Sequence, residues 1–203
     1  MRIHRCPVNS EMPSPICRCF PRKIFQGSRN WGASPAPRQG SGALKSLPGG
    51  REVVDHSFLG ERAEHEYPLG SFFRAGVVVI SSSDHAVTPV PNPLWAIRAG
   101  VTRNLNNAVG HGVKDITDMD DPTWLLDKNE RASLDEMIRS YTINSAYAHF
   151  LESETGSIEV GKSADLVIIA KDLTKLNPIE FNSVKILKTI FQGEVVFEVE
   201  EQN

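Results

Sequence analysis

Apolar residues along this chain follow three different spacings, and each spacing predicts a different element. V77-V-V-I80 is a continuous apolar run of the kind a parallel strand, covered on both faces, requires. Upstream, GERAEHEYPLGSFFRAG (60–76) reads as a helical stretch, broken or kinked near Pro68 and closed by Gly76. Downstream, PLWAIRAGVTR (93–103) suits a short helix with proline in its first turn. Leu134, Met137, Ile138, Tyr141 and Ala148 recur at helical spacing after Ser133, and Ser133 with Glu136 forms an S-x-x-E capping box. The pattern then changes: SIEV (157–160), ADLVIIA (164–170) and VKILKTIFQGEVVFEVE (184–200) are strand-like, with Gln192-Gly193 as a tight turn. The order strand, loop, helix, helix, antiparallel strands predicts the tail of an α/β barrel followed by a small β-domain.

The first residues show no such spacing. Residues 1–57 are rich in Gly, Pro, Ser and Ala, and are expected to be a largely disordered arm. Seven prolines by position 48 exclude a continuous amphipathic helix, since each removes a donor and fixes φ. The expected division is therefore a basic arm at 1–57, the last barrel units at 58–150, and a C-terminal β-domain at 151–203. Charge follows the same division. The overall charge of −3 combines nine Lys/Arg against one acid in residues 1–51, giving +8, with −11 in the remainder. A basic arm can hold nucleic acid by counterion release, but only Phe20, Phe25 and Trp31 offer stacking, and no nucleic-acid-binding fold is recognisable. The abrupt change in composition near Phe58 also fits a frame shift or a mis-spliced junction.

Cys6, Cys17 and Cys19 all lie in the arm, and their odd count and C-x-C spacing suit free thiols better than a disulfide scaffold or a zinc site. No apolar run approaches the roughly 20 residues of a membrane span, and MRIHRCPVNS lacks the apolar core of a secretory signal. The expected location is cytoplasmic.

Candidate chemistry is sparse. V77-V-V-I-S-S-S-D84 ends a strand on one carboxylate, Asp84, which a structural reading would make a turn-capping loop acid. Asp115, Asp118, Asp120 and Asp121 form an acidic group without the spacing or the bidentate Glu of a calcium loop, so a solvated loop is expected. The six histidines (His4, His56, His65, His85, His111, His149) are scattered, and His85 beside Asp84 reads as a bystander.

Four strings carry more information. G156-S-I-E-V-G-K-S-A-D-L-V167 resembles the G-S-I-E-x-G-K-x-A-D-L-V signature near the C-terminus of the amidohydrolase superfamily, and Y141-T-I-N-S-A-Y-A148 resembles that family's Y-T-x-N-x-A helix. S83-D-H-A-V-T-P-V-P-N-P-L94 is similar to a segment of the amidohydrolase family 3 branch, which A99-G-V-T-R103 also suits. The resemblance covers 58–198 and implies a (β/α)8 TIM-barrel hydrolase fold with a small β-sandwich built from both chain ends. It implies a divalent metal, zinc by preference, polarising the carbonyl of a small-molecule amide or N-acyl substrate and acidifying a water. It maps the aspartate ending the eighth strand onto Asp84, both metal-associated and catalytic, taking the water's proton and passing it to the leaving nitrogen.

The departures from the family are as specific. No H-x-H occurs in the sequence, and R2-I-H-R-C6 matches an R-I-E-H stretch only with Glu absent and His4 displaced. A (β/α)8 barrel takes about 250 residues, and a hydrolytic metal needs about three protein ligands. The chain is therefore expected to hold only the last one or two β/α units. Alone, it should bind no catalytic metal and turn nothing over. The alternative is an interaction module retaining the β-domain. Strand 77–81, with too few partner strands, is expected to expose an edge through which copies associate.

Overall fold

The computed structural model describes residues 24–27, 67–82, 91–104, 116–121, 125 and 127–200. The three cysteines, Asp84, Asp115, the boundary near 57 and every histidine except His149 lie outside the described residues. What is described is mixed α/β, and no barrel closes among these residues.

A first short strand, β1 (Ile24–Gly27), pairs in parallel with β2 (Val78–Ser81), Ile24 lying opposite Val78. Sequence patterning does not give β1, because four residues inside a Pro/Gly-rich stretch carry no measurable period. Helix α1 (Leu69–Arg74) precedes β2, and Gly76 at φ 68 occupies the left-handed position past its end, as the sequence predicts. Helix α2 (Pro93–Thr102) follows, with the Asn92 side chain accepting from Leu94 N–H and Arg103 closing it at φ 62.

The capping box opens α3 (Leu134–Tyr141): Glu136 N–H donates to Ser133 Oγ at 3.2 Å, and Ser133 N–H donates to Glu136 Oε2 at 2.7 Å. The single helix expected beyond Ser133 breaks at Thr142, at φ −119 and ψ −103, and restarts as α4 (Ile143–Ala148). Thr142 Oγ1 donates to the Ile138 carbonyl, occupying an acceptor that the interrupted ladder would otherwise leave open. Within α3, Met137 is buried while Ile138 is exposed.

Leu69, Val79, Leu94, Ile97, Met137, Phe181 and Val184 form the core. Val79 is 0 % exposed, covered by α1, α3 and α4, while β1 lies along one edge of its strand. Helices shield the faces of the strand expected to be bare at 77–81, and β1 pairs along one edge of it, while its other edge carries no strand among the described residues.

The C-terminal sheet has the order β3 (Leu166–Ile169), β4 (Ile186–Phe191), β5 (Glu194–Glu198), all antiparallel. Gln192 (φ 51) and Gly193 (φ 86) make the two-residue turn whose twist suits a hairpin. SIEV (157–160) is not a strand. Glu159 turns back onto Ser157 Oγ and Lys162 Nζ, and Lys162 N–H closes onto the Glu159 carbonyl. Ile158 and Val160 are left almost wholly exposed, at 88 % and 108 %. A buried Arg98 joins the two halves, its Nε donating to the Ile179 carbonyl at 3.2 Å in the short turn Pro178–Ser183. Arg131 ties three segments: Nε to the Thr102 carbonyl (2.9 Å), Nη1 to Asp120 (2.8 Å), and Nη2 to the Met119 carbonyl.

Candidate functional site

The sequence points to the end of β2, and the structure shows how that end is held. Val79, Ile80 and Ser81 are buried, and Ser82 emerges into solvent. Ser81 Oγ lies 2.8 Å from Ser140 Oγ, which is 0 % exposed. Ser140 Oγ also donates to the Met137 carbonyl at 2.7 Å. One hydroxyl carries one proton, so Ser81 must be the donor of the pair. From α4, Asn144 Nδ2 donates to the Val79 carbonyl at 2.9 Å, and Ser145 Oγ donates to the Ser140 carbonyl at 2.7 Å. These contacts pin residues 79 and 81 of the strand, whose last described neighbour before position 84 is Ser82.

This clamp is structural, not nucleophilic. Neither serine has an imidazole or carboxylate as hydrogen-bond partner, and both protons are spent inside the clamp. Sequence reading treats the α3–α4 stretch as apolar packing alone and so misses Ser81, Ser140 and Asn144. The one available signal was Asn144 within the Y-T-x-N string. Asp84, the acid expected to act, and its neighbour His85 lie outside the described residues. On the far side of that segment, Asn92 fixes the start of α2, its side chain accepting from Leu94 N–H at 2.9 Å.

Among the described residues, no group of three or more His, Cys, Asp or Glu side chains comes together. The perturbed ionisable groups have local structural causes. Hydrogen bonds from Gln192 N–H, Thr155 and Ser163 hold the Asp165 carboxyl below its ordinary range, and Ser157 with Lys162 does the same for Glu159. Thr174 and Lys175 likewise lower Asp172. Burial lowers the Arg103 guanidinium to about 10 despite Glu130, Asp127 and Tyr67 nearby, and burial pushes the Tyr141 phenol up. No helix among the described residues is long and apolar enough to cross a membrane.

Comparison with known proteins places this geometry in context. The sequence profile of the amidohydrolase family, in its family 3 branch, matches residues 32–197. The chain is 32 % identical over 147 residues to the N-substituted formamide deformylase of Arthrobacter pascens, covering 71 % of this chain and 24 % of that enzyme. It is 33 % identical over 135 residues to the imidazolonepropionase of Bdellovibrio bacteriovorus, covering 63 % of this chain and 32 % of that one. The chain thus spans about a quarter to a third of the length of these relatives. Among solved structures it is similar to an amidohydrolase from Thermotoga maritima, with a TM-score of 0.44 and 21 % identity, covering 78 % of this chain and 30 % of that one.

Proposed function

Because the chain belongs to the amidohydrolase family, we propose that it is the C-terminal portion of a hydrolase of carbon–nitrogen bonds other than peptide bonds. The observation that carries this reading is the family match over 32–197, within which a buried strand ends just before Asp84. Relatives named as a formamide deformylase and an imidazolonepropionase support a small amide or N-acyl substrate.

In this reading Asp84 is the general base. It takes the proton of the attacking water, the water oxygen bonds to the substrate carbonyl carbon, and the proton passes to the nitrogen as the carbon–nitrogen bond breaks. The clamp from Ser140 and Asn144 serves this role by fixing the strand from which Asp84 follows. Among the described residues no group of three His, Cys, Asp or Glu comes together, and Asp84 with five of the six histidines lies outside them. The reading that the chain alone lacks a catalytic metal and turnover is supported instead by the sequence, which has no H-x-H to join Asp84, where a hydrolytic metal needs about three protein ligands.

Metal analysis after exhaustive dialysis against a weak chelator, paired with an N-formyl and N-acyl amine hydrolysis assay, tests this. Less than a tenth of an equivalent of zinc and no hydrolysis above buffer are expected. Stoichiometric zinc with turnover that Asp84→Asn abolishes would show a complete site. The exposed apolar residues of the C-terminal sheet favour a second reading, a non-catalytic module that retains the β-domain for a partner.

A further inference from the structure

The two edges of β2 are held by different kinds of partner. On one edge the Asn144 side chain donates to the Val79 carbonyl at 2.9 Å. Carbonyls of successive strand residues point to opposite edges, so Val78 and Ile80 direct theirs, with their amides, toward β1. In the observed register Ile24 lies opposite Val78 and Gln26 opposite Ile80. A parallel ladder with that register takes the N–H of Phe25 to the Val78 carbonyl, the N–H of Gly27 to the Ile80 carbonyl, and the Ile80 N–H to the Phe25 carbonyl. Ile80 is 6 % exposed, so its backbone groups need a protein partner. β1 is that partner.

This strand comes from outside the portion shared with the family, since it ends at Gly27 and the match begins at residue 32. It lies inside the basic arm, with Arg22 and Lys23 directly before it and Arg29 two residues after it. Among the described residues the family portion puts no strand on this edge of β2, and the arm supplies one.

We infer that residues 24–27 are a strap by which the N-terminal arm fixes the exit of β2, so that whatever draws the arm away loosens the approach to the candidate site. Ser81 is held from within by Ser140, and Val78 and Ile80 are held from outside by the strap. Only the bearing of the strap on Asp84 rests on the catalytic reading. The strap itself is read from backbone amides, so its failure is distinct from a failure in the metal and hydrolysis assays.

Two proline variants of the full chain test it, because proline removes one backbone donor. Phe25→Pro takes away an N–H that faces β2, whereas Gln26→Pro takes away one on the outer edge, where proline is tolerated. By hydrogen exchange, the Ile80 amide should exchange about tenfold faster in Phe25→Pro and within about threefold of native in Gln26→Pro, with amides 187–197 unchanged in both. An Ile80 amide at the native rate in Phe25→Pro, or equally fast in both variants, overturns the strap. Should Phe25→Pro misfold and disturb amides 187–197 as well, a nitroxide on Cys19, with Cys6→Ser and Cys17→Ser, decides the matter in the otherwise native chain. Cys19 stands five residues before Ile24, at most about 18 Å of chain, so a docked strap brings the label to β2. The amides of 78–81 should then broaden more than those of 194–198, and equal broadening of the two sets refutes the docking.

Discussion

Gly100 stands where two helices meet, and a single methyl there should change sign with its neighbour. A Cβ built at Gly100 in α2 would lie 2.4 Å from Met137 Sδ, 2.6 Å from its Cε and 3.0 Å from its Cγ. Met137 is 0 % exposed, so its side chain cannot swing out into solvent and must move within the core. Two effects oppose each other in Gly100→Ala. Helix propensity favours alanine by about 0.5–1 kcal/mol in a helix interior. Overpacking a filled core costs about 1–3 kcal/mol, so the clash wins and the variant loses roughly 1 kcal/mol. Met137→Ala alone should lose about 2–5 kcal/mol through the cavity it leaves. With Met137 already truncated, the obstruction is gone, and Gly100→Ala should now stabilise by about 0.5–1 kcal/mol. Urea unfolding followed by tryptophan fluorescence, with Trp95 on α2 itself, reads all four corners of the cycle. A coupling of about 2 kcal/mol is expected, within the range seen for residues in contact. If Gly100→Ala has the same effect in both backgrounds, the two residues do not pack as described.

Two further outcomes follow from single carboxylates. Glu130, whose side chain is 10 % exposed, accepts from Ser71 N–H at 2.6 Å, Ser71 Oγ–H at 2.5 Å and Arg74 Nη2 at 3.1 Å. Arg74 is largely solvated and adds little, so the two serine bonds to a charged acceptor set the loss for Glu130→Ala at about 3–5 kcal/mol in urea unfolding; a loss under about 1 kcal/mol would show that α1 is held by packing alone. Asp165 has its folded carboxyl held below the ordinary 3.8, so its contribution is complete above that value and drains away as pH falls through the depressed one. Asp165→Asn should therefore weaken the C-terminal sheet at pH 7 and flatten its acid-side decline below about pH 4 in circular dichroism; an unchanged acid limb would remove Asp165 from the account.

What could be read from sequence was what depends on neighbours. The Ser133–Glu136 box, the Asn92-Pro93 helix start and the Gln192-Gly193 turn are each decided within four residues, and each forms as its local chemistry dictates. The misreadings have a common origin. SIEV alternates like a strand, but a strand needs a partner, and Glu159 finds Ser157 and Lys162 first. The apolar period beyond Ser133 does not reveal the break at Thr142. At the candidate site, Ser81 and Ser140 are 59 residues apart, and neither has a local motif that announces the other. The family strings, by contrast, were legible because their order along 58–198 is itself information, and the matched profile spans 32–197.

The clamp on β2 also sets an order of assembly. Its bonds join residues 59 and 65 positions apart, whereas β4 and β5 meet across two residues. Closing long loops slows folding, so the hairpin should be in place first and the serine clamp should shut last, visible as the sequence in which amides gain protection during refolding. The exit of β2 at Ser81 would then be the final part of the described fold to acquire a fixed address.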